Sequence, residues 1–226
     1  MTGEADVAQA LRDAILAGDY VPGQRLVEAD LCERFDTTRF IIRSALQQLA
    51  AQGLVEVLRN RGARVRTVSI GEAVEITEVR RALEGMCAAR AAERATAQDR
   101  EQLRQLIRSM KAACKAGELM QYSELNGSLH TAIRAIADHQ TSARILEQLR
   151  GQMVRHQFRL ALVPGRPAVS LPQHEAIVTA IVAGDPAAAE DAMRRHIDSV
   201  ISALRALPSP AGAARAADPT PGRLTR

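Results

Sequence analysis

TRFIIRSALQQLAAQG, residues Thr38–Gly53, decides how the rest of the chain is read. At 3.6 residues per turn, Ile42, Ala45, Leu46, Leu49 and Ala50 fall on one apolar stripe. Arg39 and Arg43 are four apart and share a different face. Thr38 is placed to cap the start, and Gly53 to end the helix in a left-handed turn. Alone, such a helix could simply carry two solvated arginines; its flanks change the reading. EADLCERFDTT before it predicts a shorter helix over Glu28–Phe35 and a tight turn. LVEVLRNRGARVRTV after it alternates like a two-stranded hairpin with its tip near Asn60–Gly62. Helix, turn, helix and basic hairpin make a winged helix-turn-helix, whose second helix would enter the DNA major groove.

Working outward, the chain has 226 residues, of which 46% are hydrophobic but only 2% aromatic. Its cores must be built from Leu, Ile, Val and Ala, which suits helix packing, and base-stacking platforms for single strands, which need aromatics, are not expected. Cys32, Cys87 and Cys114 are odd in number and far apart, so they fit neither a disulfide framework nor a CxxC zinc site. Small buried thiols in a reducing cytoplasm are the expectation. The N-terminus has no signal-peptide pattern, and no apolar run approaches the ~20 residues of a membrane span.

The net charge of +4 is only mildly suggestive of nucleic acid; its distribution says more. Between Thr37 and Val68, Arg39, Arg43, Arg59, Arg61, Arg64 and Arg66 stand against Glu56 alone. Such clustering is the footprint of a phosphate-facing surface. Arg66, at the far end of the hairpin, would at most touch phosphate.

Ahead of this unit, Ala5–Ala17 reads as a helix, closed by Gly18-Asp19 and a Pro22-Gly23 turn. The first domain is taken as residues 1–68. A second, 69–207, begins with Ser69 and Glu72 as a capping box for a helix over Ile70–Thr96. Helices follow over Ala97–Ala116, Leu119–Ala137, Thr141–Leu162, Pro167–Ala183 and Pro186–Leu207, with Gly, Asp-His and Pro-Gly breaks between them. No β pattern interrupts this half, so it is expected to be an all-helical bundle. Residues 208–226, rich in Pro, Ala and Gly, are expected to be a disordered tail.

The residues Ile15, Gly18, Pro22-Gly23, Arg25-Leu26, Asp30-Leu31, Arg34-Phe35, Thr38-Arg39, Arg43, Ala45-Leu46, Leu49, Gly53-Leu54-Val55, Asn60–Ala63 and Val65, in this spacing, resemble the DNA-binding domain of GntR-family bacterial transcription regulators. The helical half resembles the FCD effector domain of the FadR subgroup, and six helices fit its shorter, VanR-like branch. The resemblance implies operator contacts by Arg25, Arg39 and Arg43, with Thr38 at the head of the reading helix and the wing tip Arg61-Gly62 in or near the minor groove. Ser44 stands where the family usually has Glu, Asp36-Thr37 where it has Gly-Val, and Ile41 where Pro is common. Asp tolerates a left-handed turn, so the fold should survive.

All five histidines lie in the helical half: His130, His139, His156, His174 and His196. Asn126 and His130 are four apart on one face, while His174 and His196 lie on separate helices, 22 residues apart. Antiparallel neighbours could bring them to one depth, giving three imidazoles and an oxygen. By spacing alone each is as easily a packed histidine. Metal-binding FCD domains carry Asp-x-x-x-His on one helix and one His on each of two later helices. Asn126, His130, His174 and His196 are similar to that set, with Asn in place of Asp. The resemblance therefore implies a divalent metal, Zn²⁺ first and Ni²⁺ or Mn²⁺ next. The matched spacing, with Arg80, Arg155 and Arg159 as charge partners for an anion, points to a small carboxylate or sugar-acid effector, and the resemblance places an arginine of the effector pocket at Arg80. Arg80 could instead pair with Glu84, four residues on. His139 should be exposed, and His156 solvated or lining a site.

The reading is a cytoplasmic, homodimeric, ligand-responsive DNA-binding regulator, not an enzyme. The alternative is a metal-dependent hydrolase on the helical half. It would need a base beside the metal water, and no spare carboxylate is evident near the three histidines; Glu175 should point away.

Overall fold

The structure is a computed structural model, and it describes residues 4–59 and 62–208. The wing-tip residues Asn60 and Arg61, and the expected tail beyond Pro208, lie outside the described residues.

The first half runs α1 (Glu4–Ala17), β1 (Arg25–Leu26), α2 (Glu28–Phe35), α3 (Arg39–Ala51), β2 (Val55–Leu58) and β3 (Gly62–Val65). The α3 stripe behaves as its periodicity dictates: Ile42, Ala45, Leu46 and Leu49 are buried, with Ala50 packed at their edge. They meet Val7 and Leu11 of α1 and Leu31 of α2. Asp36 takes the left-handed conformation, φ 45°, and closes α2, as expected from its tolerance of that region.

The hairpin is a three-stranded antiparallel sheet in the order β1-β3-β2, pairing Leu26 with Ala63 and Leu58 with Gly62. Two residues are too short to show alternation, so β1 is invisible to a periodicity reading. Gly62 is required here for a backbone reason. Its φ is +78°, and a Cβ would run into the carbonyl oxygen of Leu26 on the adjoining strand.

The second half is six helices: α4 (Ile70–Arg94), α5 (Ala97–Ala116), α6 (Leu119–Ala137), α7 (Gln140–Ala161), α8 (Arg166–Ala183) and α9 (Pro186–Arg205). Small residues on α4, among them Ala88, Ala91 and Ala92, let α9 approach closely through Ala189 and Ala192. Leu103, Met110, Leu129, Ile133, Ile177 and Ile181 fill the space between α5, α6 and α8. Thr96 and Asp99 form a reciprocal capping box on α5. The box expected on α4 is half made: Ser69 accepts the Glu72 N–H at 3.1 Å, but the Glu72 carboxylate turns to Arg66.

The two halves meet along α7. Gln148 donates to the Ala51 carbonyl at 3.2 Å, and Gln152 to the Gln52 carbonyl at 3.0 Å, so α7 satisfies carbonyls left open at the end of α3. Gln152 Oε1 accepts from Arg66 at 3.2 Å, Glu147 pairs with Arg12 at 3.2 Å, and His156 Nε2 donates to the Val68 carbonyl at 2.9 Å.

Candidate functional site

The reading helix presents Thr38, Arg39 and Arg43 on its exposed side. Thr38 is the cap, its Oγ1 accepting the Ile41 N–H at 3.4 Å. Arg43 bends back onto Glu28, Nε lying 2.9 Å from the carboxylate, yet keeps 67% of its side-chain surface exposed. Phe40, 77% exposed in the first turn, adds an apolar group to this face that the sequence reading left out. Arg25 is exposed on β1. The basic cluster, however, is not one surface. Arg64 is paired across the sheet with Glu56 at 2.7 Å. Arg66 is half-buried between Glu72 and Gln152, so it serves the junction with α7 and not the phosphate-facing edge. Arg61 lies outside the described residues.

In the helical half, His130 of α6, His174 of α8 and His196 of α9 converge, with one ring nitrogen of each within 4.8 Å of the others. All three are buried. Each ring is held at Nδ1 by a different neighbour. Glu84 Oε2 accepts from His130 at 2.6 Å, and Gln173 Oε1 from His196 at 3.0 Å. His174 Nδ1 meets the Tyr122 hydroxyl at 3.2 Å.

The direction of that last bond follows from its continuation. Ser170 Oγ donates to the Arg166 carbonyl at 3.1 Å, so it accepts from Tyr122 at 2.8 Å. Burial pushes the Tyr122 hydroxyl up to about 12, so it is a neutral phenol with one proton. That proton being used, Tyr122 accepts from His174 Nδ1–H. All three rings therefore hold a proton at Nδ1, which leaves Nε2 as the nitrogen free of these outer bonds.

Burial, and then the neighbouring imidazoles, push His174 and His196 well below the ordinary histidine value, which keeps these rings neutral. Burial alone would raise Glu84, but Arg80 and His130 outweigh it and hold the carboxyl far below the usual range. Two atoms at this site are buried and unpartnered among the described residues: His174 Nε2 and Asn126 Oδ1. Three imidazole nitrogens and one amide oxygen fit a borderline divalent cation.

Glu84 corrects the expectation that no carboxylate lies near the histidines. It is 46 residues from His130 in sequence, beyond the reach of local spacing. It grips the outer nitrogen of the ring, with Arg80 on its other oxygen at 2.7 Å, so it is a positioning group and not a base facing a metal-bound water. Arg80 pairs with Glu84 and also lines the cavity beside the histidines.

That cavity has a volume of about 170 Å³. Its arginines are Arg80, Arg134, Arg150 and Arg166, of which only Arg80 was anticipated. Arg155 and Arg159 do not line it. On α7 the cavity face carries Arg150, Gln157 and Ala161, seven and four residues apart, and Arg155 and Arg159 fall on other faces. Arg155 is exposed near the first half, and Arg159 donates to the Pro208 carbonyl at 2.6 Å. His139 is partly buried and caps α7 by accepting the Ser142 N–H at 3.1 Å. His156 is buried, contrary to a solvated reading. Glu175 points away, to Lys111 at 2.9 Å.

Residues 75–199, more than half of the chain, match the FCD domain, and residues 4–65 match the family of bacterial regulatory proteins described as gntR. The chain belongs to the GntR family. This GntR-family regulator is 28% identical over 199 residues to the HTH-type transcriptional repressor RspR of Escherichia coli (strain K12), covering 88% of this chain and 87% of that protein. It is 29% identical over 203 residues to a probable D-xylose utilization operon transcriptional repressor of Paenarthrobacter nicotinovorans, covering 87% and 88%. Among solved structures, E. coli McbR/YncC shares the fold with a TM-score of 0.73 at 22% identity, over 91% of this chain and 98% of that one. A regulator described as putative GntR, from Rhodococcus sp. RHA1, superposes with a TM-score of 0.66 at 25% identity, over 91% and 99%. The GntR-family regulator is thus a DNA-binding transcription regulator with an effector-type domain, and not an enzyme. No helix among the described residues is long and apolar enough to cross a membrane.

Proposed function

We propose that this regulator senses a small carboxylate or sugar acid through a divalent metal, Zn²⁺ first and Ni²⁺ or Mn²⁺ next. His130, His174, His196 and Asn126 would hold the ion. The observation that carries this reading is the convergence of the three rings, each fixed at Nδ1 by its own outer partner. Metal-binding histidines are commonly held this way, because the outer hydrogen bond sets tautomer and ring angle. Bound there, the metal would supply a Lewis-acidic centre for an anionic oxygen. Arg80, Arg134, Arg150 and Arg166 supply further positive charge around the same space, though Arg80 is partly neutralised by Glu84. A neutral amide at position 126 leaves the cation its full charge. The name of one relative refers to D-xylose utilisation, in line with a carbon-source signal.

The DNA-binding half would act in a homodimeric repressor on a two-fold operator. One recognition helix reads too few base pairs for specificity, and a second copy doubles it. Arg39 and Arg43 are the base-reading candidates, with Arg25 and the wing tip at Arg61-Gly62 beside them. Calorimetry with carboxylic acids on metal-loaded, metal-stripped and His174→Ala protein tests the sensor. Equal affinity in all three would reduce the metal to a structural clamp at most. A gel shift on the chain's own upstream DNA, with sedimentation at micromolar concentration, tests the rest; a monomer of unchanged affinity would remove the dimer.

A further inference from the structure

A second cavity, of about 320 Å³, opens between the DNA-binding half and α7. Ile15 and Leu16 of α1, Leu54, Val65 and Val154 give it apolar walls. Val21 and Phe158 also line it and remain 59% and 51% exposed, which leaves apolar surface uncovered at its mouth. Two arginines line it. Arg66 is committed to Glu72 and Gln152. Arg155 is exposed and has no ion-pair or hydrogen-bond partner among the described residues. The inner imidazole, His156, donates Nε2–H to the Val68 carbonyl, and its Nδ1 is buried without a partner among the described residues.

We propose that this cleft is a second ligand site, for a monocarboxylate with an apolar body, aliphatic or aromatic. The apolar end enters between α1 and α7, where the apolar walls offer burial. The carboxylate stays at the mouth on the Arg155 guanidinium, which suits a carboxylate's planar pair of oxygens. Both halves contribute walls, so the ligand binds only the arrangement in which they are docked and biases the molecule toward it. The same helix caps α3 through Gln148 and Gln152 and faces the histidine cavity through Arg150 and Gln157. The cleft is thus an input to the joint separate from the histidine site.

Calorimetry on the full chain, with 4-phenylbutyrate and its neutral counterpart 4-phenylbutanol, tests this. The acid is expected to bind at least tenfold more tightly than the alcohol. Arg155→Gln should weaken the acid at least tenfold and leave the alcohol unchanged. Gly151→Leu should abolish both: a Cβ there sits 3.4 Å from Leu54, and the longer side chain enters the cleft. His174→Ala, which removes a proposed metal ligand, should bind the acid as the parent does, so failure at the metal site and failure here are separable. If Gly151→Leu does not fold, as read by circular dichroism, Arg155→Gln decides alone. The proposal is overturned if the parent protein does not bind the acid, if Arg155→Gln leaves its affinity intact, or if His174→Ala loses it. It is overturned too if Gly151→Leu dissociates a dimer, since the cleft would then be covered by a second copy.

Discussion

Glu84 Oε2 accepts the Nδ1–H of His130 at 2.6 Å, while Arg80 holds its other oxygen at 2.7 Å. This buried carboxylate therefore sets which nitrogen of His130 faces the other two rings. Glu84→Gln keeps an acceptor but removes the charge that raises the basicity of the ring. Metal affinity should fall ~10–100-fold, the usual effect of losing such an outer partner. Competition with a chromophoric chelator measures it, and an unchanged zinc affinity would take Glu84 out of the metal site.

Asn126→Asp should act in the opposite sense. A carboxylate in place of the amide adds one negative charge to the ion's surroundings, so metal binds more tightly and an anionic effector less tightly. The same chelator competition and acid calorimetry read both changes. Tighter binding of metal and acid together would contradict an effector held by the ion's charge.

Arg43 and Arg66 should part company on DNA. Arg43 lies exposed on α3, and a lost bidentate base contact costs ~1–3 kcal/mol of discrimination. Arg43→Ala should therefore erase the preference for operator over random DNA. Arg66→Ala should leave that preference and instead loosen the junction with α7. Anisotropy on the two DNAs, with thermal melting, distinguishes them; a loss of operator preference in Arg66→Ala would reverse the assignment.

Gln152 has both ends of its amide engaged, with Arg66 and with the Gln52 carbonyl. Gln152→Ala should cost ~0.5–1.5 kcal/mol for each bond removed and speed hydrogen exchange at the end of α3. Exchange rates there equal to the parent's would show that α7 does not brace the recognition helix.

Burial raises the pKa of Cys87, and burial is the largest cause of the shift. Its thiolate is disfavoured in the fold, so as pH rises past the ordinary thiol value the unfolded chain ionises first and this group begins to subtract stability. Native alkylation should label the half-exposed Cys32 and Cys114 before Cys87. Cys87 reacting first would contradict its packing against Ser142.

The helices were legible in the sequence because their signals are local. Apolar periodicity, Thr38 and Thr96 as caps, and Gly53, Gly117 and Gly184 as left-handed stops place the ends of nearly all within one or two residues. The convergence of His130, His174 and His196 was legible from their spacing on three helices, and Asn126 lines the same cavity. What the sequence could not determine depends on how helices rotate and cross. Glu84 beside His130, Tyr122 behind His174, and the arginines Arg134, Arg150 and Arg166 around the cavity come from α4, α6, α7 and α8, whose mutual angles no local pattern encodes. The arginine cluster of α3 and the wing makes the same point. Six like charges in sequence look like one surface, but strand pairing brings Glu56 to Arg64, and domain docking brings Glu72 and Gln152 to Arg66. Charge is written residue by residue, whereas its neutralisation is a through-space event that only the folded chain decides.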